Sequence, residues 1–223
     1  MSGPERSFPP PSEALLRAVA DARPVAPRSP GRQLAMLMAT SAAAVAVALV
    51  VLGVRPDMGA LPVPWLAVMG GAWLVSYLAL AWMALWPRRG EVLPRARLAG
   101  MAGFLAFAVM ACLALAWTEG AYSSAAGFLA FMHQAMGCLV SGLMVALLPL
   151  GLALMFVRHT SPDRPRWLAA AAGAQAGALG GLALLFHCPI SDGHHVAAAH
   201  ATVILAAAMV ATVVASIAAR RRA

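Results

Sequence analysis

Seven of the nine His and Cys residues in this chain fall in or beside two stretches, residues 133–138 and 187–200: His133, Cys138, His187, Cys188, His194, His195 and His200. Thiolate and imidazole are the ligands that suit Zn(II) or copper, and four of them can close a tetrahedron. Cys138, Cys188, His195 and His200 form the first candidate set, with His133, His187 and His194 as additional candidates. The same two cysteines also offer a redox chemistry, because Cys138 and Cys188 can join as a disulfide in an oxidising compartment. The plainer alternative is two unpaired thiols and solvated loop imidazoles, a description that fits His187 and His194 best. His195 and His200 are five residues apart and point in different directions on an ideal helix. They are expected to share a site only if the helix begins after His195, as Gly193 and the loop before it allow. Cys112, inside an apolar run, reads as a buried small hydrophobe. His159 reads as an interfacial residue beside Arg158.

The elements that must position these groups are six long apolar runs, at about residues 33–54, 63–86, 98–117, 138–157, 167–186 and 196–219. Each is long enough for a helix to cross about 30 Å of hydrocarbon, and none contains Asp, Glu, Lys or Arg. Helices follow because lipid forces backbone polar groups to pair within the segment. The expected fold class is all-α: a polytopic transmembrane bundle of six helices, 33–219, between a cytoplasmic head, 1–32, and a basic cytoplasmic tail, 220–223. No signal peptide is evident before the first run. Short connections predict antiparallel neighbours.

The chain has no Lys, and all sixteen of its positive side chains are Arg. Fifteen of them lie before the first run, between the second and third, between the fourth and fifth, or after the sixth. Arg55 alone falls in an odd-numbered connection. That asymmetry predicts cytoplasmic termini and puts the His/Cys stretches at the outer face. It also accounts for a sequence pI near 11.2 without a nucleic-acid partner, since the Arg residues are scattered over separate segments. Trp65, Trp82, Trp86, Trp117 and Trp167 sit near run ends, as interfacial aromatics do.

The head carries one structured candidate, from Ser12 to about Ala22, with Glu13 in its first turn and Pro24 as its stop. Leu15, Leu16 and Val19 fall on one face. That stripe can lie on the inner leaflet of the bilayer or dock a cytosolic partner. Residues 24–30 are a proline-rich spacer. Gly173, Gly177 and Gly181 give the fifth run a smooth face for close packing within the bundle. Pro149 is expected to kink the fourth run, and Gln175 reads as an interhelical hydrogen bonder.

Three stretches resemble one family. Residues 15–25, ending Arg23-Pro24-Val25, are similar to an amphipathic head segment. Gly53-Val54-Arg55-Pro56-Asp57 is similar to a short turn after a first span. Cys188-Pro189, with His195 and His200, matches a Cys-Pro-x5-His-x4-His pattern, with Cys138 as the other cysteine. These features resemble the NrsF-type membrane anti-sigma factors, six-span bacterial proteins that hold an extracytoplasmic-function sigma factor at the membrane. Ala199 departs from the pattern, where a Trp is expected.

The resemblance implies a negative regulator rather than an enzyme. Its head would bind the sigma factor through Leu15, Leu16, Val19 and Arg23, and its outer cluster would sense an oxidative, light or metal signal. The rival reading is a membrane enzyme with an outer-face metal or thiol site. Against an oxidoreductase, no Cys-x-x-Cys pair is present. A metal-dependent hydrolase would have only Asp57, Glu119 and Asp192 on that side as a general base. A transporter would normally carry an intramembrane charge.

Overall fold

Three of the long helices begin on proline, the residue whose fixed φ and missing N–H suit a first helical position. Pro30 follows Ser29, whose hydroxyl accepts from the Arg32 backbone N–H at 3.3 Å and satisfies one otherwise unpaired donor. Pro94 and Pro165 are the first residues of the fourth and sixth helices. The computed structural model describes residues 12–20, 29–85, 94–116, 125–157 and 165–220. All regular structure among them is helical.

In chain order these are α1 (Glu13–Ala20), α2 (Pro30–Leu52), a 3₁₀ turn (Met58–Ala60), α3 (Val63–Leu85), α4 (Pro94–Ala116), α5 (Ala125–Val157), α6 (Pro165–His187), α7 (Gly193–His195), a π-helical segment (Val196–Ala201) and α8 (Thr202–Arg220). Six helical stretches are long and apolar enough to cross a membrane, the last running from α7 through α8. Large apolar side chains such as Val50, Val51, Phe104 and Leu129 stand exposed around them, a surface that suits hydrocarbon and not water. α1 is a short helix with an exposed Glu13–Arg17 pair at 3.4 Å; so exposed a pair adds little stability.

α6 is the axis around which the others pack. From Leu168 to Leu185 every residue is buried except the half-buried Ala170 and Leu182. Ala and Gly dominate this run, so neighbouring backbones approach closely. A Cβ on Gly177 would lie 2.5 Å from the Val203 carbonyl oxygen and 2.6 Å from Ile204 Cα, both on α8. Gly173 meets α8 in the same way, whereas Gly181 abuts the Trp73 indole of α3. The glycine face therefore serves packing inside the bundle, shared between two partners.

Several expectations are corrected. α5 starts at Ala125, not near Cys138, because residues 125–137 contain no charge or proline to stop a helix. Cys138 thus lies well inside it. Pro149, where a kink is expected, lies inside α5, which continues to Val157. Trp65 is buried against the core rather than facing outward. Cys112 is exposed on α4, not buried, because an apolar residue carries no inward signal when the surroundings are as apolar as the core. Gln175 is fully buried, yet its amide has no hydrogen-bond partner among the described residues. The Tyr77 hydroxyl donates instead to Ser41 Oγ at 2.9 Å.

Candidate metal and thiol site

The site forms where α6 ends. The Cys188 N–H still donates to the Leu184 carbonyl at 2.8 Å, as in a helix. Pro189 cannot continue the ladder, since it has no N–H. The chain turns through residues 189–192 and starts a new helix at once. Asp192 begins it: its carbonyl accepts from the Val196 N–H at 2.9 Å, and its carboxylate accepts from the His195 N–H at 3.1 Å. This is an N-cap, and it fixes His195 in the first turn, directly above Cys188.

The second step is the π-helical segment Val196–Ala201. Residues five apart on an α-helix point about 140° from one another. On a turn closed by i to i+5 hydrogen bonds they return to nearly the same side. The expectation that the helix must begin after His195 is therefore corrected: it begins at Gly193, and the widened turn brings the two imidazoles together. Their ring centroids are 5.4 Å apart and the planes meet at 82°. The Thr202 hydroxyl donates back to the Ala197 carbonyl, five residues earlier, at 3.4 Å.

Four potential ligands converge there. The Cys138 thiol, from α5, donates to Cys188 Sγ at 3.4 Å, and His195 Nε2 lies 3.4 Å from the same sulfur. One ligand atom from each of Cys138, Cys188, His195 and His200 can be chosen so that all four lie within 4.8 Å of one another. A tetrahedral zinc ion with Zn–S near 2.3 Å and Zn–N near 2.0 Å has ligand–ligand edges of about 3.3–3.8 Å. The donor set and its spacing therefore fit a Cys2His2 ion site after small adjustments. Cys188, His195 and His200 are buried and Cys138 is half-buried. Phe131 of α5 closes one side, edge-on to His195 with centroids 6.2 Å apart. Neither ring nitrogen of His200 has a hydrogen-bond partner among the described residues, so one is available to a ligand.

The electrostatics favour a thiolate at Cys188. The hydrogen bond from Cys138 pulls its pKa well below the ordinary thiol range, and the His195 and His200 imidazoles add to this against the opposing effect of burial. The two sulfurs would need to close from 3.4 Å to about 2 Å to form a disulfide.

The loop that carries Cys188 is also gripped by a residue the sequence marked only as a topological exception. Arg55 is 3% exposed. Its guanidinium donates to both carboxylate oxygens of Asp57 at 2.8 Å, to the Pro189 carbonyl at 2.9 Å and to Ser191 Oγ at 2.8 Å. Its backbone N–H donates to the Phe186 carbonyl at 2.9 Å. The Arg55 guanidinium in turn holds the Asp57 carboxyl below its ordinary pKa. A lone Arg in a short connection poor in charge was the available signal for this role.

The additional candidates do not join the cluster. His133 is exposed, five α-helical residues from Cys138 and so on another side of α5. His187 donates from Nδ1 to the Gly53 carbonyl at 2.9 Å; Gly53 ends α2 at φ 85°, a conformation that favours glycine. His194 Nδ1 lies 3.9 Å from Asp192 Oδ1. Ala199 is fully buried beside His200, so a methyl fills the position where the resemblance suggested an indole. Of the head residues, Leu15, Leu16 and Val19 fall on α1, while Arg23, Trp86, Trp117, Glu119 and His159 lie outside the described residues.

A six-helix, membrane-capable bundle with a buried Cys2His2 cluster at one end defines the class of protein. Residues 19–220 match the family described as NrsF, negative regulator of sigma F. The chain belongs to that family. No curated protein matches the chain, and no solved structure does.

Proposed function

We propose that this chain is a membrane-bound anti-sigma factor that holds an extracytoplasmic-function sigma factor at the inner face of a bacterial cytoplasmic membrane and releases it when its outer-face cluster is filled or oxidised. The family supplies negative regulation of a sigma factor. The stimulus, the type of sigma factor and the sensor rest on the residues. The fifteen-to-one distribution of Arg supports cytoplasmic termini, with the Cys188 end of the bundle outside. The domain division follows: a docking head at 1–32, the bundle at 33–219 and a basic tail at 220–223. Leu15, Leu16, Val19 and Arg23 would contact the sigma factor, with the apolar stripe of α1 as the adhesive surface. Neither nucleic acid nor catalysis has a role in this reading.

The observation that carries the sensor is the convergence of Cys138, Cys188, His195 and His200 within 4.8 Å, achieved by a π turn that an ordinary helix would not need. π segments cost hydrogen-bond geometry and recur at functional sites. Zn(II) or copper fits the donor set, and its binding would displace the thiol protons. The 3.4 Å sulfur–sulfur approach favours a second mode at the same place. There a peroxide takes two electrons and two protons from the thiols, leaving a disulfide, water and an alcohol or a second water.

Metal analysis of the reduced, full-length protein in detergent tests the first mode. One equivalent of zinc or copper, lost in Cys188→Ser and in His200→Ala, is the expected result. A metal-free protein whose two cysteines become resistant to maleimide after peroxide supports the second. A protein that shows neither behaviour has no sensor at this position.

A further inference from the structure

The Arg55 contacts join the cluster to the one long helix that leads to the head. α2 is lightly held: among its residues whose burial is described, only Leu37 and Ser41 are buried, and none is from Ala42 to Leu52. Its outer half therefore has little packing to fix it. Immediately beyond it, residues 53–57 make eight hydrogen bonds, two of them within the Arg55–Asp57 pair and two of them backbone bonds to Leu49 and Ala60. The other four run to residues 186–191 on both sides of Cys188: Arg55 N–H to the Phe186 carbonyl, His187 Nδ1–H to the Gly53 carbonyl, and the guanidinium to the Pro189 carbonyl and the Ser191 hydroxyl.

We propose that Arg55 is a positioning residue that couples the Cys/His cluster to α2, so that displacement of the Cys188 loop releases the outer end of α2 and, through it, shifts the head. This rests on the sensor reading above. Drawing Cys188 toward Cys138, by a shared ion or a disulfide, moves the chain that includes Pro189 and Ser191. A guanidinium is a rigid planar fork whose hydrogen bonds depend on direction, so two of its partners are lost together. Asp57 keeps the cation paired, which makes the released state accessible. At the opposite end α2 begins at Pro30, capped by Ser29, and the segment that carries α1 precedes it in the chain. Any shift of α2 is therefore felt at the head, whereas α6, buried along its length, stays fixed.

The test is amide hydrogen exchange on the full-length protein in lipid nanodiscs, before and after addition of zinc or peroxide. Cluster occupancy is measured separately, by metal content and by maleimide protection. In the parent, filling the cluster is expected to speed exchange in residues 49–61 by about tenfold or more, the effect of losing one or two hydrogen bonds to a charged group. α6 should not change. Arg55→Gln should show the fast exchange from the outset, with no further change on filling. Ser191→Ala, which removes one partner and no charge, should be intermediate. Arg55→Lys keeps a cation beside Asp57, but one ammonium lacks the paired Nε and Nη2 donors that hold Asp57 while Nη2 reaches Pro189 and Ser191. It should exchange as fast as Arg55→Gln from the outset, an outcome that a purely charge-balancing role would not give.

Parent exchange that ignores a filled cluster, an Arg55→Gln profile identical to the parent, or full rescue by Lys overturns the coupling. If neither zinc nor peroxide changes the cluster in the parent, the sensor reading fails and the proposal falls with it. If the cluster fills normally in Arg55→Gln while the α2 response is lost, only the coupling role accounts for the result.

Discussion

His195 and His200 face one another across 5.4 Å although they lie five positions apart, while His133 and Cys138, also five apart, do not meet. The difference lies in the backbone. α5 is α-helical between His133 and Cys138, so the two diverge by about 140°. The chain between His195 and His200 is π-helical, and the extra residue per turn restores the facing pair. One local change of helix type thus selects which imidazoles enter the cluster and which remain on the surface.

The tight seam between α6 and α8 should not tolerate a side chain. Gly177→Val places new carbon atoms against the Val203 carbonyl and the Ile204 backbone, at 2.5–2.6 Å before relaxation. Backbone cannot swing aside as a flexible side chain does, so a loss of about 1–3 kcal/mol is expected, read as a lower unfolding midpoint in detergent. An equivalent substitution at Gly71, which has nothing within 4 Å, should leave the midpoint nearly unchanged. Equal effects at the two sites would place the seam elsewhere.

Cys188 should hold its thiolate to lower pH than an ordinary thiol does. Its pKa is lowered chiefly by the hydrogen bond from Cys138, and then by His195 and His200. An ordinary thiol, with pKa about 8.5, is almost wholly protonated by pH 6. The thiolate absorbance of the metal-free reduced protein should therefore be lost below the ordinary thiol range, and Cys138→Ala should shift its loss upward toward that range. An absorbance that disappears near pH 8 in the parent would mean that the Cys138 contact does not favour the anion.

The orientation of the bundle follows from Arg placement. Reporter fusions that require the cytoplasm should be active when joined after Arg32, Arg89, Arg164 and Arg222, and silent after Asp57, Ser124 or Asp192. An active fusion after Asp192 would put the cluster on the cytoplasmic side and remove the proposed division between outer sensor and inner head.

Much of this molecule could be read from composition and spacing. The six membrane-capable helices follow from charge-free apolar runs, and the Cys138, Cys188, His195, His200 set follows from residue type. The turn geometry was not legible. A sequence of Val-Ala-Ala-Ala-His-Ala carries no mark that distinguishes a π from an α turn, because the choice is made by packing against α4, α5 and α6. The partners of Arg55 were hidden for a different reason: Pro189 and Ser191 lie more than 130 positions away, and only the fold brings the two loops together. The outward position of Cys112 was invisible because hydropathy does not separate lipid-facing from core-facing residues in such a bundle.

The central claim is that the cluster governs retention of a sigma factor, and co-purification tests it most directly. Full-length parent, Cys188→Ser and the double variant Leu15→Asp/Leu16→Asp would each be isolated from membranes, with and without prior exposure to zinc or peroxide, and their bound sigma factors identified and quantified by mass spectrometry. The parent should retain one sigma factor and release it after exposure, while Cys188→Ser should retain it in both conditions. The double variant should retain about a hundredfold less or lower still, since burying each Leu contributes about 1.5–3 kcal/mol. A parent that holds no sigma factor, or a Cys188→Ser protein that releases it as readily as the parent, would contradict the account.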